Sequence, residues 1–427
     1  MISYGCKFDN FLQKCRRSEL FRDSFWALLG GVLGKGLSFV AGVVVARLLG
    51  SSVFGEYGII RSTLTYIAII STFGFGYTAT KFVAEYVKNS SAKVWHLIRI
   101  IKVITILTGV IFTILQILFA DIIANFIKAP YLENTIRIFS ILTLLNAITT
   151  TQIAILSGLK EFRNITRINT VAGVITFVAS VVLSFYYGLN GALLAILLSF
   201  LVQAIMSETI VHNKTKCFAG RDKISRADLA QLLYISCPVA LQDGLYAVTQ
   251  WLATYIIILA ANYNELGLLN AANLWQVIVV SIPVMLKNVM LSYLTVATDH
   301  RSLVRKLIYI TTISSALPAG VIIVFSNFLE GMYGASFMGV QPIIVVACCS
   351  SVLICVADVF VYELLAKNRS WFIFASRLIR DVLTLLVAYI LLKNADSSQA
   401  LVYSLVALGG HFIYLLIMTG FYKIFSK

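Results

Sequence analysis

Charge is what this sequence has least of. Asp, Glu, Lys and Arg make up 12% of its 427 residues, about half the share found in soluble domains. With 59% hydrophobic residues and a mean hydropathy of +0.89, no soluble alternative survives, and the chain is a polytopic membrane protein. Histidine is scarcer still: His96, His212, His300 and His411 fall mostly at the edges of apolar runs, with no HExxH spacing. There is no P-loop, which excludes ATP hydrolysis by this chain. The seven cysteines form no CxxC pair and no His/Cys ligand spacing, so no disulfide, metal site or cofactor is expected. Long polar connections are missing too. A lipid-facing glycosyltransferase or polymerase would carry a large external loop with catalytic groups, and the sequence does not read as an enzyme's.

What is present is a series of twelve apolar segments, at about 24–49, 56–80, 93–119, 134–157, 165–186, 189–212, 229–261, 266–296, 303–326, 337–364, 370–392 and 398–422. Each can cross a bilayer, because ~20 residues at ~1.5 Å rise span the ~30 Å hydrocarbon core. The expected fold class is all-α, a polytopic membrane protein with twelve transmembrane helices. His212–Asp228 is the longest and most charged interior connection and splits the helices six and six, as an interdomain linker does. The expected division is a basic N-terminus (1–23), an N-lobe (24–212), a cytoplasmic linker (213–228) and a C-lobe (229–427).

A net charge of +15 would suggest nucleic acid in a soluble protein. Here the basic residues lie between apolar runs, where they set orientation. One side collects Lys7, Lys14, Arg16, Arg17 and Arg22, then Lys81, Lys88, Lys93, Arg99 and Lys102, and continues through Lys160, Arg163, Arg167, the linker and Lys423. The other has little beyond Arg47, Arg61, Lys128, Arg137 and Lys393. That asymmetry predicts cytoplasmic termini and no nucleic-acid partner. Phe8, Phe11, Leu12 and Cys15 recur at helical spacing among basic residues, which fits an interfacial amphipathic helix; a disordered basic tail fits the same residues.

An internal repeat supports two lobes. LLGSSVFGEYGIIRS follows the first helix and ANYNELGLLNAAN the seventh, placing Gly55 and Gly267 212 residues apart; Lys160 and Lys367 are 207 apart. Six helices per repeat is even, so the repeats are parallel, pseudo-symmetric about an axis along the membrane normal, with a cavity between them.

Ionisable residues inside a membrane span point to function by default. Counted at ~1.5 Å per residue from the cytoplasmic ends, Lys35, Lys102, Lys287 and Arg380 lie about 13–16 Å deep and Asp243 about 21 Å. Arg377 and Asp358 are shallower, at roughly 10 Å. Lys102, Arg99 and Arg377 are near enough to the interface to snorkel. For Lys35 and Lys287 two readings stand, a water-filled cavity or a structural pair such as Lys287–Asp243. Asp381 can partly neutralise its neighbour Arg380. The candidate cavity cations are thus Lys35, Lys287, Arg380, Lys102 and Arg61, with Asp243, Asp358 and Asp381 as ion-pair or coupling groups. Gln242, Gln250, Asn270, Asn273 and Asn288 suit either helix–helix hydrogen bonds or sugar contacts. Gly30 and Gly34 predict close helix packing, and Pro238, Pro283 and Pro318 predict kinks.

ARLLG at 46–50, FGEY at 54–57, the Phe73-Gly74-Phe75-Gly76 run followed by Lys81 and Glu85, LSGLKEFRNITRIN and GLNGALLAILLS resemble the polysaccharide/O-antigen flippases of the multidrug/oligosaccharidyl-lipid/polysaccharide (MOP) exporter superfamily. The resemblance implies a MATE-like pair of lobes. It also implies translocation of an undecaprenyl-pyrophosphate-linked oligosaccharide across the bacterial inner membrane, by alternating access through a cationic cavity. Membrane lipids, a polysaccharide polymerase and a chain-length regulator are the partners it brings with it. Lipid II flippases resemble this sequence least, carrying an Arg-Asp pair in place of Ala41-Gly42 and two additional helices. Two alternatives are a drug or cation antiporter of the same superfamily and a non-transporting scaffold. Cavity charge discriminates the first, since a cation exporter wants carboxylates and the N-lobe helices have essentially none at depth.

Overall fold

The computed structural model describes residues 19–89, 91–216, 225–296, 300–367, 369–393 and 398–425, and every regular element among them is helical. The first, α1 (Glu19–Ser71), has 53 residues, far more than one crossing needs. It is broken at Gly50, whose φ of 74° is open to glycine without strain. After it come α2 (Phe75–Asn89), α3 (Val94–Leu118), the short α4 (Ala120–Phe126) and α5 (Glu133–Phe139), and α6 (Ile141–Gly158). The 54-residue α7 (Phe162–Thr215) is broken in the same way at Gly188, with φ 54°. Thr176, before that break, donates to Ser199 Oγ, after it, at 2.7 Å, so the two arms of α7 lie side by side.

The second half contains α8 (Arg226–Ala260), α9 (Tyr263–Val296), α10 (His300–Val324), α11 (Ser326–Tyr333), α12 (Val340–Ala366), α13 (Ser370–Lys393) and α14 (Gln399–Phe425). Pro238, Pro283 and Pro318 lie inside α8, α9 and α10, which continue through them. Ser225 starts α8 with a reciprocal capping box: its hydroxyl accepts from the Asp228 N–H and its own N–H donates to the Asp228 carboxylate, each at 3.1 Å. Nine helices among the described residues are long and apolar enough to cross a membrane. The two glycine-broken ones hold two spans each. The twelfth span is α13, which is less apolar because Arg377, Arg380 and Asp381 sit together in it.

Packing joins the lobes on one face of the membrane and separates them on the other. Toward the face of the Gly50 and Gly188 turns, one apolar core combines α1 (Phe54, Ile59, Ile60), α4 (Ala120, Ala124), α9 (Leu266, Ala271, Trp275) and α12 (Ile343, Ile344). Toward the opposite, basic-looped face there are two cores. One holds Phe75, Phe82, Ile98, Ile155 and Ile168 of the first half, the other Met290, Val304, Phe360, Ile373 and Tyr414 of the second. Among the described residues, the start of α8 leans across at that face: Leu232 joins the first-half core, Asp228 pairs with Lys93 at 2.9 Å, and Ser236 meets Thr78 at 2.9 Å. Gly74 (φ 73°) makes room, since a Cβ there would come 2.8 Å from the Ser236 carbonyl.

The repeat noted in the sequence is visible as a reciprocal contact. A Cβ on Gly55 would overlap the Tyr263 carbonyl, and a Cβ on Gly267 would overlap the Ser51 carbonyl. Ser51 and Tyr263 carry the same 212-residue offset as Gly55 and Gly267. When i touches j and the mate of i touches the mate of j, the contact lies on a two-fold axis. Ser51 also hydrogen-bonds Asn264. Around this crossing Tyr263 donates to the Ile127 carbonyl at 2.6 Å, and Trp251 Nε1 donates to Thr63 at 2.9 Å. The Tyr255 ring stacks on Phe126 at 4.4 Å and on Trp251 at 5.3 Å.

Candidate functional site

A cavity of about 480 Å³ lies at bilayer depth among both arms of α1, α6 and both arms of α7, and is faced by Leu274 and Val277 of α9. Small residues create it. A Cβ on Gly34 would come 2.7 Å from the Asn169 carbonyl, and one on Gly173 3.0 Å from the Gly34 backbone. The first arms of α1 and α7 therefore cross in near-backbone contact, the packing that the Gly30/Gly34 spacing suggested for Gly34.

Among the described residues lining the cavity, Arg61 is the only charged one and none is a carboxylate. Its guanidinium lies 6.0 Å from the Tyr57 ring centroid, within reach of a cation–π contact. Arg61 stands 11 residues past the Gly50 break, or ~16 Å into a ~30 Å core at ~1.5 Å per residue. Counting it with the loop residues of its side is thereby corrected: the second span starts at Ser51, directly after the break, and Arg61 is midway along it. The other polar lining is neutral. Ser38 donates to the Gly34 carbonyl at 2.9 Å and Ser199 to the Ala172 carbonyl at 3.2 Å. Asn169, Gln203 and Arg61 have no hydrogen-bond partner among the described residues.

Among the described residues, the other candidates do not converge on Arg61. Lys102 does not merely reach for the interface; its ammonium pairs with Glu208 at 2.7 Å, and Gln152 donates to the other carboxylate oxygen at 3.0 Å. Arg380 and Asp381 form a buried pair through Nε (2.8 Å) and an Nη (2.5 Å), with the guanidinium 4.9 Å from the Tyr414 ring. Asp358 lines a smaller cavity of about 150 Å³ with Pro283, Met290, Thr311, Cys355 and Tyr362. Asp243 is half-buried in α8. Lys35 and Lys287 belong to α1 and α9, and their side chains lie outside the described residues. Glu208, Gln152, Asn169 and Gln203 were not singled out in the sequence. The available signal was a carboxylate or amide inside an otherwise apolar run for Glu208, Gln152 and Gln203, whereas Asn169 follows the polar stretch of Arg163, Asn164, Thr166 and Arg167.

Two lobes, twelve spans and a largely apolar cavity at bilayer depth, carrying a few polar groups and Arg61, define a polytopic membrane protein. The profile of the polysaccharide biosynthesis proteins matches residues 20–292, and the chain belongs to that family. No curated protein matches it. Among solved structures, it is similar to a multidrug resistance MATE-family transporter of the MOP superfamily in its inward-facing conformation (13% identity, TM-score 0.76, 93% of this chain and 97% of that one). It is also similar to the lipid II flippase MurJ in an inward closed conformation (12%, 0.75, 92% and 86%). A third is a MOP superfamily transporter from Pyrococcus furiosus, described by the reverse polarity of its binding pocket (13%, 0.69, 97% and 98%). These likenesses establish the MOP fold.

Proposed function

We propose that this protein is a flippase that carries a polyprenyl-pyrophosphate-linked oligosaccharide, a repeat unit of a surface polysaccharide, from the cytoplasmic to the periplasmic leaflet of the bacterial inner membrane. The reading is supported chiefly by one observation: the bilayer-depth cavity displays Arg61 and no described carboxylate. A pyrophosphate leaving water needs charge-assisted donors, and a guanidinium supplies them in pairs. A cation exporter would instead need acidic lining. The polyprenyl chain stays in lipid while the head group enters between the lobes from the basic-looped face, where their cores are separate. In this reading that face is cytoplasmic, both termini lie on it, and residues 213–228 link the lobes.

Lys35 and Lys287 remain the cations proposed to join Arg61. Arg380 and Lys102 already have carboxylate partners, so they contribute by exchanging those partners for substrate. Asp243 and Asp358 are proposed for coupling to a driving ion, Asp358 from its own C-lobe cavity. Cells lacking the native gene test the reading through surface polysaccharide display. Arg61→Ala, and separately Lys35→Ala with Lys287→Ala, should abolish or strongly reduce display at normal protein levels. Unchanged display in the Arg61 variant contradicts the proposed function.

A further inference from the structure

Resting on that reading, we propose that Asn169 and Gln203 form a subsite for the neutral glycan, separate from the pyrophosphate contact at Arg61. Both amides line the cavity and neither has a hydrogen-bond partner among the described residues. Both are half-buried at the cavity wall, so their free donors and acceptors are open to water in the cavity or to a ligand that displaces it. Their chemistry selects the ligand. Each offers one acceptor and two N–H donors, the complement of sugar hydroxyls, which donate and accept in turn. An anion subsite would be built from cations and a cation subsite from carboxylates. Small apolar and aromatic groups such as Ala172, Phe39 and Phe200 fill the walls between, as in small-molecule sites, and about 480 Å³ falls within their usual ~300–1,000 Å³.

Position supports the same division. Gln203 and Asn169 stand 15 and 19 residues from the Gly188 break, or ~22 and ~28 Å at ~1.5 Å per residue, against ~16 Å for Arg61 from Gly50. The amides are therefore nearer the basic-looped mouth than the guanidinium. A head group seated with its pyrophosphate at Arg61 lays its sugars along them. Gly34 keeps the subsite clear, since a Cβ there would come 3.0 Å from that of Asn169.

Full-length protein in nanodiscs tests this with two probes, undecaprenyl pyrophosphate and the lipid-linked oligosaccharide pool extracted from cells that make the protein. The wild type should prefer the extracted pool. Asn169→Ala with Gln203→Ala should cut that preference about tenfold, the equivalent of two neutral hydrogen bonds. Arg61→Ala should weaken both probes alike. Because Asn169 sits in the tight α1–α7 crossing, Gln203→Ala is also measured alone, with a loss of about threefold expected. An unchanged preference in either variant, or equal weakening of both probes by the amide substitutions, overturns the subsite. A wild type that binds neither probe overturns the flippase reading itself.

Discussion

Arg380 and Asp381 are adjacent in the chain, both buried, and bonded to each other through two guanidinium nitrogens. Breaking a buried pair strands one charge and costs about 3–5 kcal/mol, whereas replacing both partners with apolar groups is often neutral. Asp381→Asn should therefore lower the thermal unfolding temperature of the solubilised protein well below that of Arg380→Met with Asp381→Leu. Equal losses would show that the charges themselves are needed. The Lys102–Glu208 pair is different, with Glu208 half exposed, and pairs of that kind contribute about 0–1 kcal/mol. Glu208→Gln should leave unfolding nearly unchanged. The two pairs were unequally legible in the sequence. The Arg380–Asp381 pair is local and could be read directly, but Lys102 and Glu208 are 106 positions apart and meet only through tertiary packing. Arg61 was visible as a charge and misplaced in depth, because the turn before it contains no loop residues to mark the start of the span. Gln203 is hard to read because a neutral amide disturbs an apolar run less than a lysine does, and Asn169 because it follows the already polar stretch of Arg163, Asn164, Thr166 and Arg167.

The spans owe their register to glycines. Gly50 and Gly188 reverse the chain without a loop, so the twelve crossings read from hydropathy appear as fewer continuous helices. The repeat offset of 212 carried more than lobe symmetry: it named the residues that touch at the pseudo-two-fold axis, since Gly55 and Gly267 each lie against a backbone carbonyl of the other lobe. No side chain fits without separating α1 from α9. Gly55→Ala or Gly267→Ala should thus loosen closure at the turn-bearing face. With cysteines placed at Ser51 and Asn264, whose side chains meet, the yield of oxidative cross-linking should fall clearly in either glycine variant. An unaltered yield would mean that the helices separate at no cost to this contact.

For the whole molecule, one shared core at the turn-bearing face and two cores at the basic-looped face describe lobes hinged together on one side. On the proposed function, carriage across the membrane requires that shared core to part, including the Trp251–Tyr255–Phe126 stack and the Tyr263–Ile127 hydrogen bond. A disulfide between Ser51→Cys and Asn264→Cys should accordingly stop transport under oxidising conditions, with recovery after reduction. Undiminished transport by the cross-linked protein would place the pathway elsewhere. The most direct measurement is movement of radiolabelled lipid-linked oligosaccharide between leaflets of proteoliposomes holding the wild type, Arg61→Lys or Arg61→Ala. A lost charge-assisted contact is worth about 1.5–3 kcal/mol, so the alanine variant should be slower by roughly ten- to a hundredfold, with lysine intermediate. Wild-type rates for Arg61→Ala would contradict a cationic head-group site in this cavity.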